Sequence, residues 1–201
     1  MRVEKTVIEV FFDYICPWCY LGTVRTDRLQ REYGVELRWT VFPLHPDTPD
    51  EGMELSELFA GREAQIMAMQ ERLSRVAAAE GLPLGARSRT CNSRRAQELG
   101  KWAESRGRGD PFRRAVYRAY FVDGCNIALA DELLRIAGSV GRPVDEAQEV
   151  LAQRSFAAAV AADWQRAGEL RITAVPTHLC GTKRLAGFGP YGDFVHLIGK
   201  E

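Results

Sequence analysis

The chain predicts an α/β fold that carries an all-helical insertion. Three observations predict it. Residues 6–42 read as strand, helix, strand. Residues 50–168 carry helical periodicity with no convincing strand. The stretch after residue 170 returns to two short strands and a helix. That order places helices against a sheet and inserts the helical block between the sheet's two halves. The expected division is 1–49 with 169–201 for the layered domain, and 50–168 for the insertion.

The first strand spans about Thr6–Phe12, an apolar run. A helix is expected from Pro17, a residue favoured at the first helical position, to Tyr33, with Gly34 as its stop. Leu21, Val24, Leu29 and Tyr33 would form its inner face. The second strand, Val35–Phe42, alternates Val35, Leu37, Trp39 and Val41 against Glu36, Arg38 and Thr40, and ends in Pro43-Leu44-His45-Pro46.

Within the insertion, Ile66, Met69, Leu73 and Val76 keep helical spacing up to Gly81. Asn92 or Ser93 can cap a helix carrying Ala96, Leu99 and Trp102. Asp110-Pro111 reads as a cap followed by proline, ahead of the stripe Phe112, Ala115, Val116, Ala119 and Tyr120. Further helices fall near Ile127–Ser139, Val144–Gln153 and Ser155–Ala167. The chain then offers Arg171–Cys180, a turn at Gly181-Thr182, Lys183–Ala186, and a short helix after Pro190.

The bulk properties are those of an ordinary globular chain, 46% apolar and 27% charged, with 27 basic and 27 acidic side chains. Zero net charge gives no argument for nucleic acid or an anionic membrane as partner. No apolar run approaches the ~20 residues of a spanning helix. Residues 1–5 lead straight into the first strand without a leader-like apolar region, so the cytoplasm is the expected compartment. Five cysteines are an odd number, which fits one redox pair and three free thiols better than a disulfide framework.

The chemistry rests on Cys16-Pro17-Trp18-Cys19, between the first strand and the first helix. A helix start offers free N–H groups and partial positive charge, which stabilise a thiolate. Two cysteines three apart can also bond to each other. Half of a zinc site and two inert core cysteines are the competing readings. The zinc reading lacks a second pair: Cys91, Cys125 and Cys180 stand alone, and His45, His178 and His196 are scattered. No metal and no resident cofactor are expected.

The residues also resemble a known family. Phe12-Asp13-Tyr14-Ile15-Cys16-Pro17-Trp18-Cys19-Tyr20-Leu21-Gly22, Phe42-Pro43-Leu44-His45-Pro46, Asn92-Ser93-Arg94-Arg95-Ala96 and Ala174-Val175-Pro176-Thr177 look like the DsbA-like branch of the thioredoxin superfamily. More narrowly, they resemble FrnE-type dithiol oxidoreductases, relatives of 2-hydroxychromene-2-carboxylate isomerases and kappa-class glutathione transferases. The resemblance implies a thioredoxin-like fold with an inserted helical domain. It also implies a cis Val175–Pro176 bond beside the cysteines. Two departures stand out: Ala174 where the family commonly has glycine, and His178 and Cys180 where apolar residues are usual. Both departing residues fall on one face of their strand, and the expectation is a buried, inert pair.

On this reading Cys16 is the exposed nucleophile and the more buried Cys19 resolves the mixed disulfide. Pro17 and Trp18 tune the pair. A tryptophan cannot act as the imidazolium of DsbA's motif does, so a milder oxidant than DsbA is expected. Asp13 either relays protons or ends the strand, the structural role being favoured. Asn92 is either a helix cap or, as in the glutathione-dependent relatives, a residue of the substrate cleft. The expected partner is a protein or small-molecule thiol or disulfide, with glutathione as a further co-substrate. A glutathione-dependent isomerase or transferase is the alternative enzyme, although such relatives usually carry serine where this chain has Cys16. A non-enzymatic chaperone or interaction module is the third reading.

Overall fold

The computed structural model describes residues 5–200. The chain's first four residues and Glu201, assigned above to the outer ends of the layered domain, lie outside the described residues. Two compact units divide the chain: Met1–Leu44 with Asp163–Glu201, and His45–Ala162. The divisions expected from sequence, after residues 49 and 168, fall five and six residues later. Side chains explain the second shift. Asp163 accepts the Val41 N–H at 2.9 Å and Arg166 clamps Glu9, which ties this stretch of helix to the sheet.

The first unit is built on β1 (Val7–Phe12), α1 (Pro17–Tyr33) and β2 (Glu36–Val41). Cys16 caps α1 with extended backbone, Pro17 follows, and Gly34 ends it at φ 63° with its N–H on the Gln30 carbonyl. The inner face differs from the expected one. Tyr33 is 39% exposed, and Thr23 and Thr26 are buried instead. Their hydroxyls donate to the Tyr20 and Thr23 carbonyls, which allows polar residues on an inward face.

β5 (Thr177–Cys180), β6 (Lys183–Ala186) and α9 (Tyr191–Leu197) complete this unit. The sheet order is β2-β1-β5-β6. β1 runs parallel to β2 and antiparallel to β5, with Val10 opposite His178. Ile8 and Val10 face a core shared with Leu29 and Val35 and with Phe194, Val195 and Leu197 of α9. Lys183 and Arg184 keep the outer strand exposed and charged, a common guard on a sheet edge.

The opposite face of β1 holds a buried carboxylate. Glu9 is 4% exposed. It accepts two bonds of 2.7 Å from Arg166 of α8 (Ala157–Glu169), one of 2.9 Å from Arg38 and one of 2.8 Å from Thr40. Burial pushes its pKa up, but those bonds and the nearby Arg38 charge outweigh burial and hold it at about 2.

The second unit contains α2 (Leu55–Leu58), α3 (Glu63–Ala79), α4 (Arg94–Ser105), α5 (Gly109–Phe121), α6 (Ala130–Ser139) and α7 (Val144–Gln153). α4 packs against α5, α6 and α7 and buries Leu99, Trp102 and Ala103. Two differences from the expectation appear. A small antiparallel pair, β3 (Met53–Glu54) with β4 (Arg89–Thr90), lies within the helical block. Two residues are too few to show alternation; Arg89 and Glu54, opposite each other in the pair, also form an ion pair at 2.6 Å. Helix α5 starts at Gly109, so Asp110 is inside it rather than its cap. The Asp110 carboxylate engages Arg113 and Arg114 instead. Pro111 remains within the first turn, where its missing N–H costs nothing. Among the described residues, no helix is long and apolar enough to cross a membrane.

Candidate active site

β1 delivers the chain into a buried turn, Asp13-Tyr14-Ile15, directly before α1. Asp13 is fully buried. One carboxylate oxygen accepts the Ile15 N–H at 3.2 Å and the other accepts the Leu44 N–H at 3.0 Å, while its carbonyl accepts the Cys16 N–H at 3.2 Å. Asp13 thus shapes the turn that presents Cys16. Both carboxylate oxygens accept backbone N–H groups.

Cys16 is the N-cap of α1. Its sulfur accepts the Cys19 N–H at 3.4 Å and donates to the Val175 carbonyl at 3.4 Å. The sulfur therefore meets both a helix N–H and the segment ahead of β5. The Val175–Pro176 bond is cis. The Pro176 carbonyl accepts the Gly187 N–H at 2.7 Å, and Thr177 Oγ1 donates to the Ala174 carbonyl at 2.7 Å. The Pro176 ring lies against α1, 3.8 Å from where a Cβ on Gly22 would stand.

The exposed Cys16 expected from the sequence is not what the structure shows. Cys16 and Cys19 are each only 3% exposed. The contact of the Cys16 sulfur with Val175, 159 positions away, turns it inward. The two sulfurs are not bonded to each other. Burial pushes the Cys19 thiol well up, and the hydrogen bond and charge of Cys16 push it further, as does the Asp13 charge. Cys19 is thus held protonated one helical turn beyond Cys16.

Trp18 and Pro17 are half-buried. The Trp18 ring stacks at 5.8 Å on Phe188, and the Arg25 guanidinium lies 5.0 Å over the other ring while its Nε donates to the Gly189 carbonyl at 3.4 Å. Sequence reasoning missed this Gly187-Phe188-Gly189 loop. Its signal was an aromatic residue between two glycines just ahead of Pro190. Of the pair expected to be buried, only His178 is: it is 1% exposed and meets Phe194 edge-on at 4.8 Å, whereas Cys180, at the end of β5, is partly buried and packs on the same cluster.

Asn92 belongs to the helical unit. Its amide nitrogen donates to the Pro46 and Thr48 carbonyls at 2.9 and 2.8 Å, and its oxygen accepts the Arg94 N–H at 2.8 Å. The N-cap of α4 is Ser93; the Asn92 side chain, one residue earlier, takes the first N–H of the helix and fastens the 46–48 loop. Among the described residues, no group of three or more His, Cys, Asp or Glu side chains is arranged to hold a metal.

A strand, a buried turn, a cysteine at a helix cap and a cis proline facing it define a thioredoxin-type thiol site. The model of the DSBA-like thioredoxin domain matches residues 7–198, and the chain belongs to that family. It is similar to YwbO of Bacillus subtilis, 25% identical over 96% of each chain. Among solved structures it resembles a probable DsbA oxidoreductase from Streptomyces coelicolor (25% identity, 98% of this chain and 91% of that one, TM-score 0.88). A 2-hydroxychromene-2-carboxylate isomerase (18% identity, 96% and 94%, TM-score 0.78) shares the fold. So does the cytosolic disulfide reductase DsbM from Pseudomonas aeruginosa (18%, 96% and 93%, 0.68), also solved with glutathione.

Proposed function

We propose that the chain is a dithiol–disulfide oxidoreductase acting on protein or small-molecule thiols. The observation that carries this is the asymmetry of the pair. Cys16 sits at the helix cap with an N–H on its sulfur and beside the Val175 carbonyl, while Cys19, equally buried, lies one turn later with a raised pKa. In the oxidising direction a substrate thiolate attacks the Cys16 sulfur, and Cys19 leaves as thiolate and takes a proton. The second substrate thiolate then attacks the substrate sulfur of the mixed disulfide and releases Cys16. Substrate loses two electrons and the Cys16–Cys19 disulfide gains them. In the reverse direction Cys16 attacks and Cys19 resolves.

Pro17, Trp18, Val175 and Pro176 shape the site, and Asp13 sets the turn. The cytoplasm is the proposed compartment, supported by the three further cysteines and by the likeness to a cytosolic reductase. Glutathione is the proposed co-substrate. After the site has reduced a substrate disulfide, two glutathione thiols return it to the dithiol and leave as glutathione disulfide; after it has oxidised a substrate dithiol, glutathione disulfide resets it. The likeness to a glutathione-bound reductase and to the isomerase supports that role and keeps a glutathione-dependent isomerase or transferase as the second reading.

The test is a redox titration in glutathione buffers, trapping Cys16 and Cys19 with an alkylating agent and reading their state by mass. The expected result is a reversible two-electron transition at a potential more reducing than that of DsbA. If only glutathione adducts form and the Cys16–Cys19 disulfide never appears, the second reading replaces the first.

A further inference from the structure

The helical unit holds a cavity of about 810 Å³ between the start of α4, α6 and the end of α7. That size lies within the range of small-molecule sites, roughly 300–1,000 Å³. One part of its lining is aliphatic, with Leu134 of α6 and Leu151 of α7. Another part carries three guanidiniums, those of Arg94, Arg95 and Arg154.

Two carboxylates meet these three cations. Glu98, 1% exposed, lies 3.2 Å from Arg94 and 2.7 Å from Arg154. One buried carboxylate thus orients two guanidiniums. Asp50 lies 3.1 Å from Arg95, and both side chains are about half exposed. A solvent-exposed pair of that kind is weakly held and open to exchange for another anion. The lining itself thus carries three guanidiniums and one carboxylate, that of Asp50, beside an aliphatic surface. Arg154 ends α7 in the left-handed region, φ 52°, where glycine or asparagine is usual. An arginine there keeps its charge at the cavity.

We propose that this cavity binds a small organic anion. Its carboxylate or phosphate head sits among Arg94, Arg95 and Arg154, and its aliphatic body lies on Leu134 and Leu151. Arg95 exchanges Asp50 for the ligand's head group. Guanidiniums held in place by Glu98 suit the planar, bidentate recognition of such a head. The site stands independently of the redox reading.

Isothermal titration of the full chain with hexanoate, hexyl phosphate and hexylammonium tests this. Saturable heat is expected for at least one of the two anions, with a Kd on the order of 1 mM, and none for hexylammonium. Which anion binds tells a carboxylate from a phosphate ligand. Arg95→Glu is expected to weaken binding at least about tenfold, and Asp50→Asn to tighten it by removing the competitor. Should Arg95→Glu fail to fold, the Asp50→Asn comparison decides. The proposal is overturned if neither anion binds, if hexylammonium binds as well as the anions, or if Asp50→Asn leaves the affinity unchanged.

Discussion

His178 makes the first unit's stability depend on pH in a window that a single substitution should remove. The imidazole is 1% exposed, and its Nδ1 has no hydrogen-bond partner. Burial lowers its pKa from the ordinary 6.5 to about 4, against the opposing pull of a hydrogen bond with the Leu185 backbone. The folded-state value lies below the unfolded one, so the unfolded chain takes up the proton first. The stability contribution is therefore whole above pH 6.5 and is lost as pH falls toward 4. Linkage across that gap gives a loss of about 2 kcal/mol by pH 5 and about 3 kcal/mol at pH 4. Against a typical total of about 5–15 kcal/mol this is a large share. His178→Phe fills a similar volume beside Phe194, presents carbon where the unpaired Nδ1 was, and cannot be protonated. Urea unfolding of both proteins at about pH 7 and about pH 5 isolates the effect, since other groups titrate in both. The variant should lose about 2 kcal/mol less than the parent between the two pH values. Equal losses, or an imidazole signal for His178 that titrates near its ordinary value, would refute the reasoning.

Two further substitutions probe the buried carboxylates. Glu9→Gln leaves Arg166 and Arg38 without their anion; allowing for the solvent screening of those half-exposed guanidiniums, it should cost about 2 kcal/mol at neutral pH. Because Glu9 is held at about 2, that contribution persists above pH 4.5 in the parent and fades as pH falls toward 2, so acid unfolding curves of parent and variant should converge there. Asp13→Asn removes a charge that raises the Cys19 pKa, so in a Cys16→Ala background the pH midpoint of Cys19 alkylation should move down. A midpoint that stays put or rises would show that the Asp13 charge does not act on Cys19.

What the sequence disclosed was local, and what it concealed was distant. Cys16, Pro17 and Gly34 announce a capped helix because caps are written in adjacent residues, and α1 has the expected bounds. Gly181-Thr182 announces the β5–β6 hairpin for the same reason. Glu9 reads as a polar interruption of an apolar strand, because the arginine that makes its burial tolerable arrives 157 positions later. Thr23 and Thr26 look like surface residues until their hydroxyls are seen to bond within their own helix. Tyr33 fits the spacing of an inner face but is the last residue of the helix and is 39% exposed.

The same division runs through the candidate site. The kind of chemistry is legible from four consecutive residues, since a cysteine at a helix cap with a second one turn later is a thiol pair wherever it is met. How that chemistry is reached is not. Val175 turns the Cys16 sulfur inward, and the loop bearing Phe188 packs on Trp18 while it is tied to Pro176 and Arg25. On the proposed dithiol–disulfide function, a Cys16 residue that is 3% exposed has to be uncovered, or its Val175 contact displaced, for substrate to reach the sulfur. The Cys16–Val175 bond and the Trp18–Phe188–Arg25 stack are the contacts that cover this motif from distant parts of the chain. Neither is encoded within ten residues of the cysteines alone.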